Sequence, residues 1–469
     1  MGGIAAAYVF PHPPLAVPGV GKGSEKGAQK TIDAMVRAAE SIRKDNPDTI
    51  IVTTPHGPVF QDFIYINTSK RLAGDLSRFG DRNTRLEFEN NLDLVQRIIN
   101  RAQKEGLPAG GLDDSIARKF HISGELDHGV LVPLYFVSNV LKNVKLVQIS
   151  IAGLPFEELY KFGICIGKAA EETEGKTVFI ASGDLSHRLS KDSPYEYSPK
   201  GREFDNLVVE AFKNLDVEKL LTLKESFCEE AGECGLRSFL MMFGALDGYE
   251  LKSEVYSYEG PFGVGYSVAS FNVLGKNDSD SVLKRVREKY FHEIEKIREA
   301  EDFRVRLARL ALEEYVRNKK VIKIPDWIPD ELLNEKAGVF VSIKKQGQLR
   351  GCIGTIAPTR KNIAEEIIYN AISSGTRDGR FYPVEEEELD KLIYSVDILK
   401  EPEPIRSIDE LDVKKYGVIV RSGYRTGLLL PNLEGINTPE EQVEIALKKA
   451  GIKPHEKFDM ERFEVVRYK

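Results

Sequence analysis

The stretch "IAAAYVFPHPPL", residues 4–15, runs from an apolar, strand-like segment directly into a histidine set among three prolines. Proline fixes φ and removes a backbone donor. His12 is therefore presented just past a strand with little loop freedom left to lose when a ligand binds. The next apolar run, "TIIVTT" (49–54), also ends two residues before a histidine, His56, in the near-repeat "TPHGP". Between them, Ala28, Ile32, Met35, Ala39 and Ile42 recur at three- and four-residue spacing, which predicts an amphipathic helix. Strand, helix and strand over residues 4–54 predict a βαβ unit. Both histidines then lie side by side at the carboxyl edge of a parallel sheet, where open α/β sheets hold their ligands.

The pattern continues outward. "KLVQISI" (145–151) and "TVFIAS" (177–182) read as further strands, with helices near 92–105, 156–172 and 203–224. The pair "LKSEVYSYE" and "GVGYSVASFNVL" closes the unit in hairpin fashion near Leu274. The fold class expected for residues 1–275 is α/β, a mostly parallel sheet flanked by helices. "GKNDSDS" (275–281) is small, polar and aperiodic, so a linker is placed at 276–281. Residues 282–469 then form a smaller α+β domain. It opens with a charged helical stretch from Val282 to Arg317, broken near Glu301–Asp302. "AGVFVSIKKQGQLRGCIG" follows as a predicted hairpin. "TPEEQVEIALKKAG" is a helix with Thr438 as cap, Glu441 three residues on and Gly451 at its end.

The 469 residues are 42% hydrophobic and 30% charged, enough for two or three buried cores. No apolar run approaches the ~20 residues of a membrane span. "MGGIAAAYVF" has no basic region before its apolar run and reads as a first strand instead of a signal peptide. Cys165, Cys228, Cys234 and Cys352 show neither C-x-x-C pairing nor a disulfide framework, which suits a reducing compartment; a cytoplasmic protein is expected. A net charge of −7 supplies no basic field for nucleic acid. "GVGKGSEKG" (19–27) fails the phosphate-loop spacing and reads as a loop at the rim of the site. Tyr195 and Tyr197, in "DSPYEYSP", belong to a surface loop or line an aromatic pocket.

His187 trails a third apolar strand in "ASGDLSH", and His128 precedes an apolar stretch in "GELDHGVLVPLYF". Three histidines at strand ends point to a shared site, because core burial does not call for imidazole there. Two histidines and one carboxylate make the open facial site of non-heme iron(II). The candidate acid is Glu233 in "AGECG". Cys234 beside it is a softer ligand that would favour copper or zinc, or take the place of the glutamate. Glu233 could instead serve as the cap of the helix that follows.

With "PHPP", "TPHG", "DHG", "SGDLSH" and "GECG" in order, residues 1–274 resemble the class III extradiol ring-cleavage dioxygenases and, within that superfamily, the Memo family. The resemblance implies iron(II) on His12, His56 and Glu233, His187 as catalytic base, His128 as a supporting donor and a catechol-like aromatic substrate. The Memo pattern implies Cys234 as ligand in a metal-binding or scaffolding module without ring cleavage. "LRGCIGT" (349–355) and "RDGRFYPV" (377–384) resemble the AMMECR family over residues 283–469. Proteins resembling the two halves occur beside a radical-SAM protein, which implies such a partner; association between copies of the chain is left open. Cys352, after Arg350 on a Gly-flanked turn, is expected to be a low-pKa nucleophile or a small buried residue with Arg350 paired to an acid such as Asp378.

Overall fold

In the computed structural model the described residues are 2–112, 114–119, 122–191, 195–277, 281–433 and 435–469. They divide into two compact units, one ending at Arg287 and the other beginning at Glu288. Residues 278–280 of the expected linker and 192–194 of the tyrosine loop lie outside the described residues.

The first unit is built on six strands, β1 (Gly3–Phe10), β2 (Thr49–Thr54), β3 (Lys145–Ser150), β4 (Lys176–Ser182), β5 (Tyr249–Glu259) and β6 (Tyr266–Lys276). Their order across the sheet is β3-β2-β4-β1-β6-β5. The first four run parallel, while β6 is antiparallel to β1 and β5 antiparallel to β6. Side chains alternate along each strand. Ala7 and Val9 join Ile51, Phe179 and Ala181 under the helices Leu92–Lys104, Phe156–Glu171, Pro199–Asn214 and Leu236–Ala245. Ala6, Tyr8 and Phe10 join Ile50, Val52, Val178 and Ile180 under Gln29–Asp45 and His128–Ser138. A sheet buried on both faces explains why β2 and β4 are almost continuously apolar and β-branched.

Two expectations change. β1 and β2 are not neighbours, because β4 lies between them; a helical crossover is free to skip a strand position, and a later strand fills it. The helix expected over 203–224 is two, Pro199–Asn214 and Val217–Leu221. Leu215 takes a left-handed φ of 55°, and Asp216 starts the second helix by accepting the Lys219 N–H.

In the second unit, Gln348–Gly354, Val339–Lys345, Leu392–Leu399 and Val465–Tyr468 form an antiparallel sheet in that order. Val339, Val341 and Ile343 pack beneath the helices Phe303–Asn318 and Ile363–Thr376. A second four-stranded sheet carries the helix Pro439–Ala450, whose Thr438–Glu441 capping box and Gly451 terminus stand as expected.

Candidate metal centre

Because β4 separates β1 from β2, the loops after all three strands meet at one point. His12 is buried, and its Nε2 lies 2.9 Å from His56 Nε2. Behind it, His12 Nδ1 lies 2.9 Å from Ser182 Oγ, and that hydroxyl donates to the Gly129 carbonyl. A serine has one proton to give. Since Gly129 takes it, His12 must donate from Nδ1, and burial holds this imidazole well below its usual pKa, with His56 and His187 adding to the effect. A neutral ring protonated at Nδ1 leaves the Nε2 lone pair facing the site. The proton between the two histidines then belongs to His56, where a cation would displace it.

Cys234 closes the other side. Its Sγ is 3.7 Å from both His12 Nε2 and His187 Nε2, and it accepts the Asp184 N–H at 3.3 Å. Asp184 fixes the loop by accepting the His12 N–H at 2.9 Å, and its other oxygen is 3.7 Å from His12 Nε2 and 3.8 Å from His187 Nε2. Burial raises Asp184 to about 6 against the lowering pull of His187, and it raises the Cys234 thiol well above its usual range. Among the described residues, two donor sets lie within 4.8 Å internally: His12, His56 and His128, and His12, Asp184 and Cys234. Ligands ~2.0–2.3 Å from one ion are separated by about 3 to 3.7 Å. The two sets meet at His12, whose Nε2 lies 2.9 Å from His56 Nε2 on one side and 3.7 Å from Cys234 Sγ and from the Asp184 carboxylate on the other, so imidazole, thiol and carboxylate all stand around that nitrogen.

Glu233 belongs to neither set. Its carboxylate accepts the Leu236 N–H at 2.7 Å and caps the helix Leu236–Ala245. Burial raises it to about 7. Gly232 ends the preceding helix at φ 65°, and across the short loop it is Cys234 that faces the histidines. The acid beside His12 is Asp184, three residues before His187 in "GDLSH", while the expected glutamate lies outside both donor sets.

His128 and His187 flank the centre. His128 stacks on His56 at 4.1 Å between ring centroids, and burial lowers it to about 3. Phe79 meets its edge at 5.0 Å, while Tyr195 stacks on His187 at 5.3 Å. Asp127 caps the His128 helix and accepts from Thr54 Oγ1 at 2.7 Å, which ties the end of β2 to the start of that helix.

Cys352 lies in the second unit, in the strand Gln348–Gly354 and not on a turn. Burial raises its thiol instead of leaving a low-pKa nucleophile. Arg350 pairs with Glu388, and Asp378 pairs with Arg380 while accepting the Cys352 N–H.

Residues 6–269 match the family model of the catalytic LigB subunit of aromatic ring-opening dioxygenase, and residues 305–469 match AMMECR1. The chain is 45% identical to a protein of Clostridium acetobutylicum over 98% of both chains. It is 54% identical to a Thermotoga maritima protein over 35% of this chain and 96% of that one. Among solved structures, an uncharacterized Pyrococcus horikoshii protein aligns at 37% identity with a TM-score of 0.34, covering 36% of this chain and 90% of its own. An uncharacterized Escherichia coli K12 protein aligns at 14% identity with a TM-score of 0.39, covering 57% of this chain and 99% of its own.

Proposed function

We propose, for a chain that belongs to the family of the catalytic LigB subunit of aromatic ring-opening dioxygenase, that its first unit holds one divalent ion, iron(II) first, on His12, His56 and Cys234. In this reading the chain is a non-heme metal protein of the Memo type. The observation that carries it is the Cys234 sulfur 3.7 Å from His12 Nε2, which itself lies 2.9 Å from His56 Nε2, while Glu233 caps a helix. A bound iron(II) ion would supply Lewis acidity and one-electron chemistry. The chain's own groups do the rest. Ser182 orients the His12 lone pair, His128 stacks behind His56, and neutral His187 faces the site as a proton acceptor beside Tyr195.

A second reading, ring opening of a catechol-like aromatic, is favoured by Asp184. This carboxylate, 3.7 Å from His12 Nε2, would complete a two-histidine, one-carboxylate set, with His187 placed to take a phenolic proton.

Metal analysis and calorimetry of anaerobically purified variants separate the two. The Memo-type reading expects Cys234→Ser to lose the ion and Glu233→Gln to keep it. It also expects about one proton released per ion at pH 7.5, as the protonated thiol becomes a thiolate. Retention of iron by Cys234→Ser with its loss in Asp184→Asn, together with ring-cleavage absorbance from a catechol panel, would replace it with the dioxygenase reading.

A further inference from the structure

Of the two donor sets that share His12, the one made only of imidazoles, His12, His56 and His128, includes a residue the thiol-held ion does not use. It is also the more open of the two. His12 is buried, but His56 is exposed and His128 half-buried, whereas Asp184 in the other set is buried. The backbone holds all three rings in place. His12 follows β1 among its prolines, and His56 follows β2 with its N–H donated to Thr54 Oγ1 at 3.2 Å. The same Thr54 hydroxyl donates to Asp127, the cap of the helix that His128 begins.

Ring positions can be compared with those of three imidazoles on one ion. An imidazole bound through nitrogen at ~2.0 Å has its centroid about 3.1 Å from the ion, so rings set about 90° to 110° apart have centroids about 4.4 to 5.1 Å apart. The observed separations bracket that range: 4.1 Å for His56 and His128, 4.7 Å for His12 and His56, and 5.5 Å for His12 and His128. His12 stands edge-on to both of the others. The 2.9 Å between His12 Nε2 and His56 Nε2 is the spacing of two such ligands at about a right angle. Among the described residues, the His128 ring is held by stacking on His56 and by the edge of Phe79, with neither ring nitrogen hydrogen-bonded. A ring held that way turns about its side-chain torsions without breaking a hydrogen bond.

We propose that His12, His56 and His128 form an outer ion position for nitrogen-preferring divalent ions, copper(II) first, distinct from the thiol-held position. It rests on the reading of this sheet edge as a metal centre. His12 Nε2 has one lone pair, so filling either position excludes the other. An ion arriving from solvent meets the imidazoles first. Thiolate selects softer ions, copper(I) among them, while copper(II) is well served by imidazole alone. The chemistry of the ion then decides whether His128 or Cys234 completes its shell.

Copper(II) titration of the full chain, with electron spin-echo spectra that count coordinated imidazoles, tests this. In Cys234→Ser, copper(II) affinity should fall by less than the ~10-fold typical of losing an outer partner, and in His128→Ala by more than ~100-fold. The spectrum of Cys234→Ser should show three imidazoles, a measurement that needs no change at His128. Loss of copper(II) from Cys234→Ser would overturn the proposal, as would a spectrum of two imidazoles or full copper(II) affinity in His128→Ala. Its failure is separable from that of the thiol-held ion. If Cys234→Ser loses iron(II) and copper(II) together, only the outer position is refuted; if it keeps iron(II) while copper(II) depends on His128, only the thiol-held ion is.

Discussion

Ser182 is fully buried and has one proton, which goes to a carbonyl; its oxygen then receives the His12 Nδ1 proton. One hydroxyl thereby decides which imidazole nitrogen carries a lone pair into the candidate metal centre. Ser182→Ala removes that acceptor without adding bulk, and partners of this kind typically cost 10–100-fold in metal affinity. A drop of about that size in cobalt(II) or iron(II) affinity is expected, with an unchanged circular dichroism spectrum. Wild-type affinity in the variant would show that the tautomer is set elsewhere. His12, His56, His128 and His187 were readable from their places at strand and helix ends. Asp184 and Ser182 were not, because an acid or a serine in a loop is ordinary until the fold brings it within 3.7 Å or 2.9 Å of an imidazole.

At the scale of elements, the candidate metal centre depends on two loops meeting backbone to backbone. A Cβ on Gly183 would fall 2.2 Å from the Gly235 Cα, so a side chain at Gly183 forces apart the loops that carry Asp184 and Cys234. Gly183→Ala is expected to weaken metal binding more than Cys234→Ser weakens folding. It should also lower the first unit's melting temperature, because the contact it meets is backbone and cannot rotate away. Calorimetry with and without metal checks both effects. The strands and helices themselves were largely legible from periodicity: β1, β2, β3 and β4 and the break between Ala300 and Phe303 stand where the apolar spacing predicts. The division of 203–224 into two helices was not legible, since Leu215 and Asp216 look helical in composition and only the left-handed turn at Leu215 reveals the stop.

For the whole molecule, the charge pairing of the second unit sets its response to acid. Glu388, bonded to Arg350 and Lys345, and Asp378, bonded to Arg380, are both held at about 2. Carboxylates with depressed folded pKa values stabilise fully above their unfolded values of ~4 to 4.5, and that contribution disappears as pH falls toward 2. The melting transition of the second unit should therefore decline between pH 4.5 and 2, and Glu388→Gln should flatten the decline while lowering stability at neutral pH. A slope unchanged by the substitution would remove Glu388 from the account.

The sequence by itself determined that the first half is an α/β unit and the second a smaller α+β one. It also marked the histidines as a group, because hydrophobic periodicity and proline-bounded strand ends are local properties written along the chain. Which of Glu233 and Cys234 stands beside His12 was decided by tertiary structure alone. Glu233 and Cys234 are adjacent in the chain, yet the helix that begins at Leu236 claims the carboxylate for its first N–H, that of Leu236. The insertion of β4 between β1 and β2 then brings Asp184, in the loop after β4, to 3.7 Å from His12 Nε2. Neither the choice of cap nor the order of strands is a property of any short stretch of sequence; both follow from which backbone groups the packed chain would otherwise leave unpaired.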